Sequence, residues 1–250
     1  MTTTYREQFS KADKAKEYDA EQYGSTSFSR LLWGIEQTQL ACVVENMRKT
    51  HDSIEYLDFA AGTGRVIVYM EDKVDTATGI EISQAMVDRA QEKLNSGNMI
   101  CKDITLADAE IEGSYDLITT FRFILNAEPN LRQAGITALA KRLKDDNSLL
   151  VFNNHGNFYS HKLILWPIHK LRAMGKGYQT EGNYMTNKQA HQVADEAGLV
   201  ILSTIGSGFL GGTIAKLLPF KLASSLEMSL SKIKLLRPFC VNQLYIAKRK

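Results

Sequence analysis

Residues 56–65 read YLDFAAGTGR, and this stretch decides how the rest of the chain is interpreted. It joins a short β-type run, residues 54–59, to an apolar helix-like run, residues 66–70. Glycines in such a loop let the backbone approach a ligand closely, and the N-terminus of the following helix faces the same ligand. Because many turns contain two nearby glycines, the interpretation depends on the residues that follow the loop.

Three carboxylates come at the ends of three successive predicted strands. Asp58 ends the first strand, Glu81 closes a second strand at residues 76–81, and Asp103 follows a third at residues 98–102. The carboxyl ends of adjacent parallel strands line the crevice in which doubly wound sheets bind ligands. An acid at the end of the second strand is where a ribose is held through its two hydroxyls. The pattern predicts a ribose-containing ligand, although each acid alone could equally be a turn or capping residue.

The ligand that this loop predicts is not a dinucleotide. The dinucleotide fingerprint has a third glycine three residues after the second, and Ile67 occupies that place. The charge of Asp58 would repel a pyrophosphate, whereas it would attract an ammonium group. We therefore expect a cofactor with a ribose and an ammonium group, and the alternative of an NAD-dependent oxidoreductase is disfavoured.

Strand-like and helix-like segments alternate along most of the chain. The predicted strands are residues 54–59, 76–81, 98–102, 115–121, 148–152, 200–205 and 242–247. This spacing predicts an α/β, doubly wound, mostly parallel sheet with helices on both faces. We expect one domain over 1–250, with N-terminal cap helices at 1–50, a cofactor-binding core at 51–155, an insert at 156–185, and a C-terminal core at 186–250 that carries a second insert at 206–240.

The runs YLDFAAGTGR, GIEIS (residues 79–83), CKDI (101–104) and YDLITTFRFILN (115–126) resemble the class I S-adenosylmethionine-dependent methyltransferases. The resemblance covers residues 54–154 and departs at Ala60, where the family usually has a glycine. It implies a Rossmann-like, seven-stranded sheet whose last strand is antiparallel. It also implies S-adenosylmethionine as the cofactor and a methyl-transfer reaction. The length of the two inserts separately suggests a lid over the acceptor.

The resemblance further implies which residues hold the cofactor. They are Asp58, Ala60, Gly62 and Gly64 for its methionine part, Glu81 for its ribose, Ile82, Asp103 and Ile104 for its adenine, and Phe121 for its sulfonium end.

The segments after the fourth and fifth strands face the reacting centre in this topology. Arg122 is a candidate to bind a carboxylate or phosphate of the acceptor, or else to pair with Glu128 or Asp116. His155 is a candidate general base for an oxygen nucleophile, or else a hydrogen-bonded loop histidine. If His155 is the base, kcat is expected to fall on acidification near the usual histidine range.

The acceptor is expected to be a small polar molecule or a glycan, methylated on oxygen. Three asparagines near the end of the fifth strand are candidate readers of sugar hydroxyls: Asn153, Asn154 and Asn157. No metal site is expected, because His161 and His169 lack a third ligand at a suitable spacing. A catalytically silent cofactor-binding partner subunit is the alternative to an enzyme.

Composition and charge narrow the class of protein. The chain has 250 residues, of which 44% are apolar and 23% charged, as in ordinary globular proteins. The formal net charge is only +2, so nucleic acid is not an expected partner, although the last fifty residues hold eight basic residues and one acidic residue. The insert at 206–240 could lie on an anionic membrane, but a packed lid with a solvated basic face is favoured.

Cysteine usage and the N-terminal sequence indicate the compartment. Cys42, Cys101 and Cys240 are scattered and predict neither a disulfide framework nor a zinc site. The polar N-terminus lacks the apolar stretch of a signal peptide. We expect a protein of the cytoplasm, and the sequence predicts no oligomeric state.

Overall fold

The computed structural model describes residues 27–103, 113–163 and 184–250. Its strands are β1 Glu55–Phe59, β2 Thr76–Glu81, β3 Asn98–Cys101, β4 Leu117–Thr120, β5 Leu149–Asn154, β6 Leu199–Ser207 and β7 Asn242–Arg249. All seven predicted strands are present, with ends that differ by a few residues. The fourth is shorter than predicted, so Phe121 lies just beyond its carboxyl end.

The strands form one sheet in the order β3-β2-β1-β4-β5-β7-β6. The first five are parallel, and β7 pairs antiparallel with both β5 and β6. This is the predicted doubly wound, Rossmann-like sheet with an antiparallel last strand. Chain order reverses between β1 and β4, and such a switch point opens a crevice at the carboxyl ends of the strands.

The helices of the described residues are α1 Phe28–Met47, α2 Arg65–Met70, α3 Gln84–Gln91, α4 Pro129–Lys141, α5 Asn187–Glu196, α6 Gly211–Leu217 and α7 Phe220–Ser231, followed by a 3₁₀ helix at Lys234–Phe239. Local sequence sets several of their ends. Thr186 and Gln189 form a reciprocal capping box at the start of α5. Ser83 precedes α3 as predicted, but its hydroxyl makes no capping hydrogen bond.

Helices cover both faces of the sheet, because alternate residues of each strand point to opposite sides. On one face, Leu57 and Phe152 belong to a buried cluster with Ile136 of α4 and Ala190 of α5. On the other face, a second cluster joins β1, β4 and β5 to α1, α2 and α3 through buried side chains that include Tyr56, Leu40, Ile67, Val87, Leu117 and Val151. The helices on the two faces therefore fix the positions of the strands and of their carboxyl ends.

The late insert is a helical cap, which we define as residues 211–239. Its α6 and α7 pack on α1 through a third buried cluster that contains Leu31, Ile35, Ala215 and Ala223. The cap begins later than the predicted 206, since β6 stays paired with β7 as far as Ser207. Most of the insert predicted at 156–185 and the first part of the predicted N-terminal cap lie outside the described residues. Among the residues described, no helix has the length and apolar character needed to span a bilayer.

Candidate active site

The loop between β1 and α2 contains three residues with left-handed backbone. Their φ angles are 56° at Ala60, 56° at Gly62 and 84° at Gly64. This conformation costs about 1–2 kcal/mol for a residue with a Cβ atom. Ala60 thus occupies a position that suits glycine, which explains why the family resemblance has a glycine there. The loop keeps the glycine-type geometry at the cost of local strain.

Gly64 is required by packing as well as by conformation. A Cβ atom at Gly64 would lie 2.8 Å from the Cβ atom of Ala90 in α3. Two small residues therefore let the start of α2 approach α3 closely. This contact helps to set the orientation of α2, whose N-terminus faces the carboxyl ends of the strands.

The Asp58 side chain lies at the centre of this arrangement and is buried. Its Oδ2 atom accepts a hydrogen bond of 3.1 Å from the backbone N–H of Ile67, and its Oδ1 atom accepts one of 2.8 Å from the Thr119 hydroxyl. Burial outweighs these bonds and the nearby charge of Arg65, and it raises the pKa of Asp58 to about 7. A cationic ligand beside Asp58 would therefore stabilise its buried carboxylate.

Asp58→Asn should stabilise the unliganded protein at high pH. Since the pKa rises from 3.8 in the unfolded chain to about 7 in the folded one, the stability that the protonated carboxyl provides is present below pH 3.8 and is lost as the pH rises through 7. The full shift corresponds to about 4 kcal/mol, and we expect the variant to gain about 1–3 kcal/mol at pH 8 and almost nothing at pH 4. Urea unfolding at the two pH values measures the difference.

Asp116→Asn is the matched control for this prediction. Asp116 is also buried, but its Oδ2 atom lies 3.6 Å from Nζ of Lys144 and accepts a hydrogen bond from the backbone of Glu55. Removing that charge should lower the free energy of unfolding at pH 8. An Asp58→Asn protein that is less stable than the wild type at pH 8 would contradict the inference that burial of the Asp58 charge destabilises the folded protein.

Glu81 ends β2 and connects two loops. Its Oε2 atom accepts from the backbone N–H of Gly62 at 3.0 Å, and its Oε1 atom accepts from Ile82 at 2.8 Å and Ser83 at 3.1 Å. Burial raises the pKa of this carboxyl above its usual value, against the effect of these bonds. Glu81 therefore shapes the glycine loop in addition to any contact that it makes with a ligand.

A cleft opens at the carboxyl ends of β1, β2 and β4. Its lining residues are Asp58, Ala60, Ala61, Gly62, Thr63, Arg65, Val66, Glu81, Met86, Phe121, Arg122 and Asn126. The structure thus brings Asp58, Ala60, Gly62, Glu81 and Phe121 of the predicted cofactor residues together with Arg122. Gly64, Ile82 and Asp103 lie outside this lining, and Ile104 lies outside the described residues.

Sequence reasoning gave no role to Arg65, which lines the cleft beside Phe121. Its guanidinium lies 4.2 Å from the centre of the Trp33 ring and 3.3 Å from Oε2 of Glu36, both on α1. The sequence signal that could have indicated Arg65 is its position as a cationic residue directly after the glycine loop, at the start of α2. Its partners are about thirty residues away in sequence, and no local pattern indicates them.

Asn153 and Glu36 hold Arg122 in place. Arg122 has a φ of 60°, its backbone N–H donates to Oδ1 of Asn153 at 2.7 Å, and its carbonyl accepts from Asn126 at 2.7 Å. The Nδ2 atom of Asn153 donates to Glu36 at 3.0 Å and to Asn242 at 3.1 Å. This buried network connects β5, β7 and α1 to the residue that follows β4. Asp116, one of the two alternative partners considered for Arg122, forms an ion pair with Lys144.

The predicted role of the three asparagines as hydroxyl readers is wrong, because the fold itself uses their amides. Asn153 belongs to the network just described. The Nδ2 atom of Asn154 donates to the carbonyl of Met185 at 2.8 Å. The Nδ2 atom of Asn157 donates to the carbonyls of Pro238 at 2.7 Å and Cys240 at 2.9 Å. These side chains fix the end of β5 and the residues that follow it.

His155 directly follows β5 and is not among the residues that line the cleft. Its Nδ1 atom is buried and makes no hydrogen bond within the described part of the chain. Burial, together with the charges of Arg122, Lys162 and Arg65, holds the pKa of His155 well below its usual value of 6.5. The imidazole is therefore neutral near pH 7 and can accept a proton.

Comparisons with known proteins agree with this geometry. A family model described as a methyltransferase domain matches residues 57–146. No curated protein matches the sequence. Among solved structures, magnesium protoporphyrin IX methyltransferase of Synechocystis PCC 6803 is 15% identical, with a TM-score of 0.65 over 98% of this chain and 100% of that chain.

Two further structures have the same fold. An S-adenosylmethionine-dependent methyltransferase from Clostridium acetobutylicum ATCC 824 is 14% identical, with a TM-score of 0.62 over 95% of this chain and 98% of that chain. An amino pentose methyltransferase from Micromonospora echinaspora is 14% identical, with a TM-score of 0.57 over 94% of this chain and 96% of that chain. The methyltransferase-domain match spans the glycine loop and Glu81, and it favours a methyltransferase over the oxidoreductase alternative. The match assigns residues 57–146 to a methyltransferase domain, and the solved structures show that the chain has the fold of S-adenosylmethionine-dependent methyltransferases.

Proposed function

We propose that this methyltransferase methylates an oxygen atom of a small polar or glycan acceptor that also carries an anionic group. The observation that supports this proposal is the neutral imidazole of His155, whose Nδ1 atom is buried and which lies close to the cations of Arg122, Lys162 and Arg65. Two of these cations, Arg122 and Arg65, line the cleft beside Phe121.

The cleft suits the cofactor by charge and shape. Asp58 offers a buried carboxylate to the ammonium group, and Glu81 offers carboxylate oxygens to the ribose hydroxyls. Ala60 and Gly62 line the cleft where we place the methionine part, and Phe121 lines it where we place the sulfonium end. The roles of Gly64 beside the methionine part and of Ile82, Asp103 and Ile104 beside the adenine rest on the family resemblance alone. S-adenosylmethionine supplies an activated methyl group when bound, so the protein has to add alignment of the acceptor and a route for its proton.

His155 is proposed as the general base. A hydroxyl becomes strongly acidic as its oxygen gains the methyl group, so even an imidazole with a low pKa can accept the proton at that stage. Burial, together with the charges of Arg122 and Lys162, lowers the pKa of His155 and keeps it neutral before the reaction. An amine acceptor would need its own proton removed before reaction, and the surrounding cations would oppose binding of its ammonium form. Methylation on oxygen therefore fits this environment better than methylation on nitrogen.

The same cations indicate an anionic acceptor. The Lys162 side chain is largely buried, and its pKa is lowered by burial and by the charge of Arg122. A carboxylate or phosphate of the acceptor would relieve this repulsion and form charge-assisted hydrogen bonds with Arg122. The Nζ atom of Lys162 donates a hydrogen bond of 3.4 Å to the backbone carbonyl of His155, so the lysine contacts the residue proposed as the base.

A second cavity provides room next to the cleft. It measures about 430 Å³ between α1 and α7, and its lining includes Trp33, Phe220 and Met228. Trp33 also packs against Arg65 of the cleft. An amino pentose methyltransferase has the same fold, which supports a sugar as one candidate acceptor.

Transfer of a labelled methyl group to paired acceptors tests the proposal. Each pair would differ only in one anionic group, for example a hexose and its uronic acid, or a sugar and its phosphate. We expect kcat/KM to be at least about tenfold higher for the anionic member, and NMR of the product should locate the new methyl group on oxygen. A product methylated on nitrogen, or equal rates within each pair, would contradict the proposal.

A further inference from the structure

Large apolar side chains are exposed mainly on the helical cap. Among the described residues, Leu217 and Leu235 are each 80% exposed, and Ile214 and Phe239 are each 51% exposed, all four in the cap. Elsewhere in the described residues, the most exposed large apolar side chains are Tyr159 and Leu202, at 53%. A concentration of exposed apolar side chains on one segment is typical of an interaction site.

The exposed side chains lie on the outer side of the cap, away from its contact with the protein core. In α7, Leu222 and Leu226 are exposed and lie one helical turn apart, so they share a face. Ala223 and Glu227 on the neighbouring face are buried. Helix α7 therefore has a buried face, which packs on α1, and a neighbouring face with exposed leucines that this packing does not explain.

The charge of the outer surface is positive. Lys216, Lys221, Lys232 and Lys234 are exposed on the cap. The acidic residue of the cap, Glu227, is buried and accepts hydrogen bonds from the backbone N–H groups of residues 208–210. No carboxylate on the outer surface of the cap offsets the lysines, so leucine and lysine side chains alternate there without acidic residues between them.

We propose that the outer face of the helical cap binds the surface of an anionic lipid bilayer. Exposed leucines with adjacent lysines are typical of segments that lie in the interface between headgroups and acyl chains. Each lysine near such a surface strengthens binding by about fivefold. A protein partner would favour aromatic side chains and arginine, whereas lysine is depleted in protein interfaces.

The binding is peripheral, since the described residues contain no helix long and apolar enough to cross a membrane. The lid interpretation from the sequence is compatible with it. The inner face of the cap packs on α1 and covers the cavity beside Trp33, while the outer face contacts lipid. The proposal does not depend on the identity of the acceptor.

Sedimentation of the full-length chain with vesicles tests the proposal. We expect the protein to pellet with phosphatidylcholine vesicles that contain about 30% phosphatidylglycerol and to stay in solution with pure phosphatidylcholine. Pelleting should decrease between about 0.05 M and 0.5 M salt. Leu217→Asn/Leu235→Asn should weaken binding at least about tenfold, and Lys216→Gln/Lys234→Gln should do the same.

Two control variants separate the cap from general surface effects. Leu202→Asn removes an exposed leucine from the edge strand β6, and Lys49→Gln/Lys188→Gln removes two exposed lysines far from the cap in sequence. Both should bind vesicles like the wild type. All of these substitutions lie on the surface, and thermal unfolding would verify that each variant folds.

Three outcomes would overturn the proposal. One is the absence of pelleting with anionic vesicles at low salt, and another is unchanged binding by Leu217→Asn/Leu235→Asn. The third is a wild-type dimer in analytical ultracentrifugation that the leucine variant converts to a monomer, which would assign this surface to a second copy of the chain. Cofactor binding, measured separately, is unaffected by any of these results, so failure here is distinct from failure of the proposed methyl transfer.

Discussion

His155→Gln is expected to lower kcat about 100-fold or more, which is the usual scale for loss of a general base. Glutamine has a similar size and can form hydrogen bonds, but it cannot accept the proton at neutral pH. Because His155 is not among the residues that line the cleft, its loss should leave the affinity for S-adenosylhomocysteine nearly unchanged. Steady-state kinetics with calorimetry on the same preparation measures both quantities.

His191→Gln is the matched control for this variant. His191 lies in α5, is exposed, and contacts the Tyr245 ring at 5.8 Å, on the side of the sheet covered by α4 and α5. Its replacement should leave kcat within about twofold of wild type. Near-normal turnover by His155→Gln would mean that alignment of the acceptor alone accounts for the rate.

The pH profile of kcat provides a second readout of His155. The base is active only when it is neutral, and burial with the charges of Arg122 and Lys162 lowers its pKa. The acidic decline of kcat should therefore lie well below pH 6.5, lower than the histidine range expected from the sequence, and it should disappear in His155→Gln. A decline that remains in the variant would assign the ionisation to another group.

Glu81→Ala is the second substitution with a large expected effect. It removes the acceptor proposed for two ribose hydroxyls, so about 1.5–3 kcal/mol of binding to S-adenosylhomocysteine should be lost, which is about 10- to 150-fold in Kd. The side chain also accepts from the backbone N–H groups of Gly62, Ile82 and Ser83. A lower melting temperature is therefore expected as well, and affinity has to be separated from stability.

Glu71→Ala makes that separation. Glu71 is buried and accepts from three successive backbone N–H groups, those of residues 95–97, just as Glu81 accepts from three. It lies outside the cleft, and these hydrogen bonds lower its pKa despite burial. Glu71→Ala should thus destabilise the protein to a similar extent and leave the Kd for S-adenosylhomocysteine unchanged. If both variants bind like the wild type, Glu81 is only a structural residue.

Much of the cofactor site could be predicted because its signals are local. The strand that contains Asp58, the glycine loop and the strand that ends at Glu81 each follow from a few adjacent residues. Parallel pairing then places their carboxyl ends at one edge, with Asp58 beside Gly79 and Thr119. The acceptor side was less predictable. Asn153, Asn154 and Asn157 looked like ligand readers because a loop asparagine gives no local sign of what its amide will bond.

The sequence by itself determined the α/β sheet, its glycine loop and the order of acidic residues at the strand ends, since periodicity and turn residues act over a few positions. Only the tertiary structure decided the environment of each charge. In the folded protein, burial raises the pKa of Asp58 to about 7. Arg65 contacts Glu36 and Trp33 of α1. The leucines of the helical cap are exposed among lysines. Burial and charge pairing depend on segments that are distant in the chain, so they arise only when the sheet and its helices pack together.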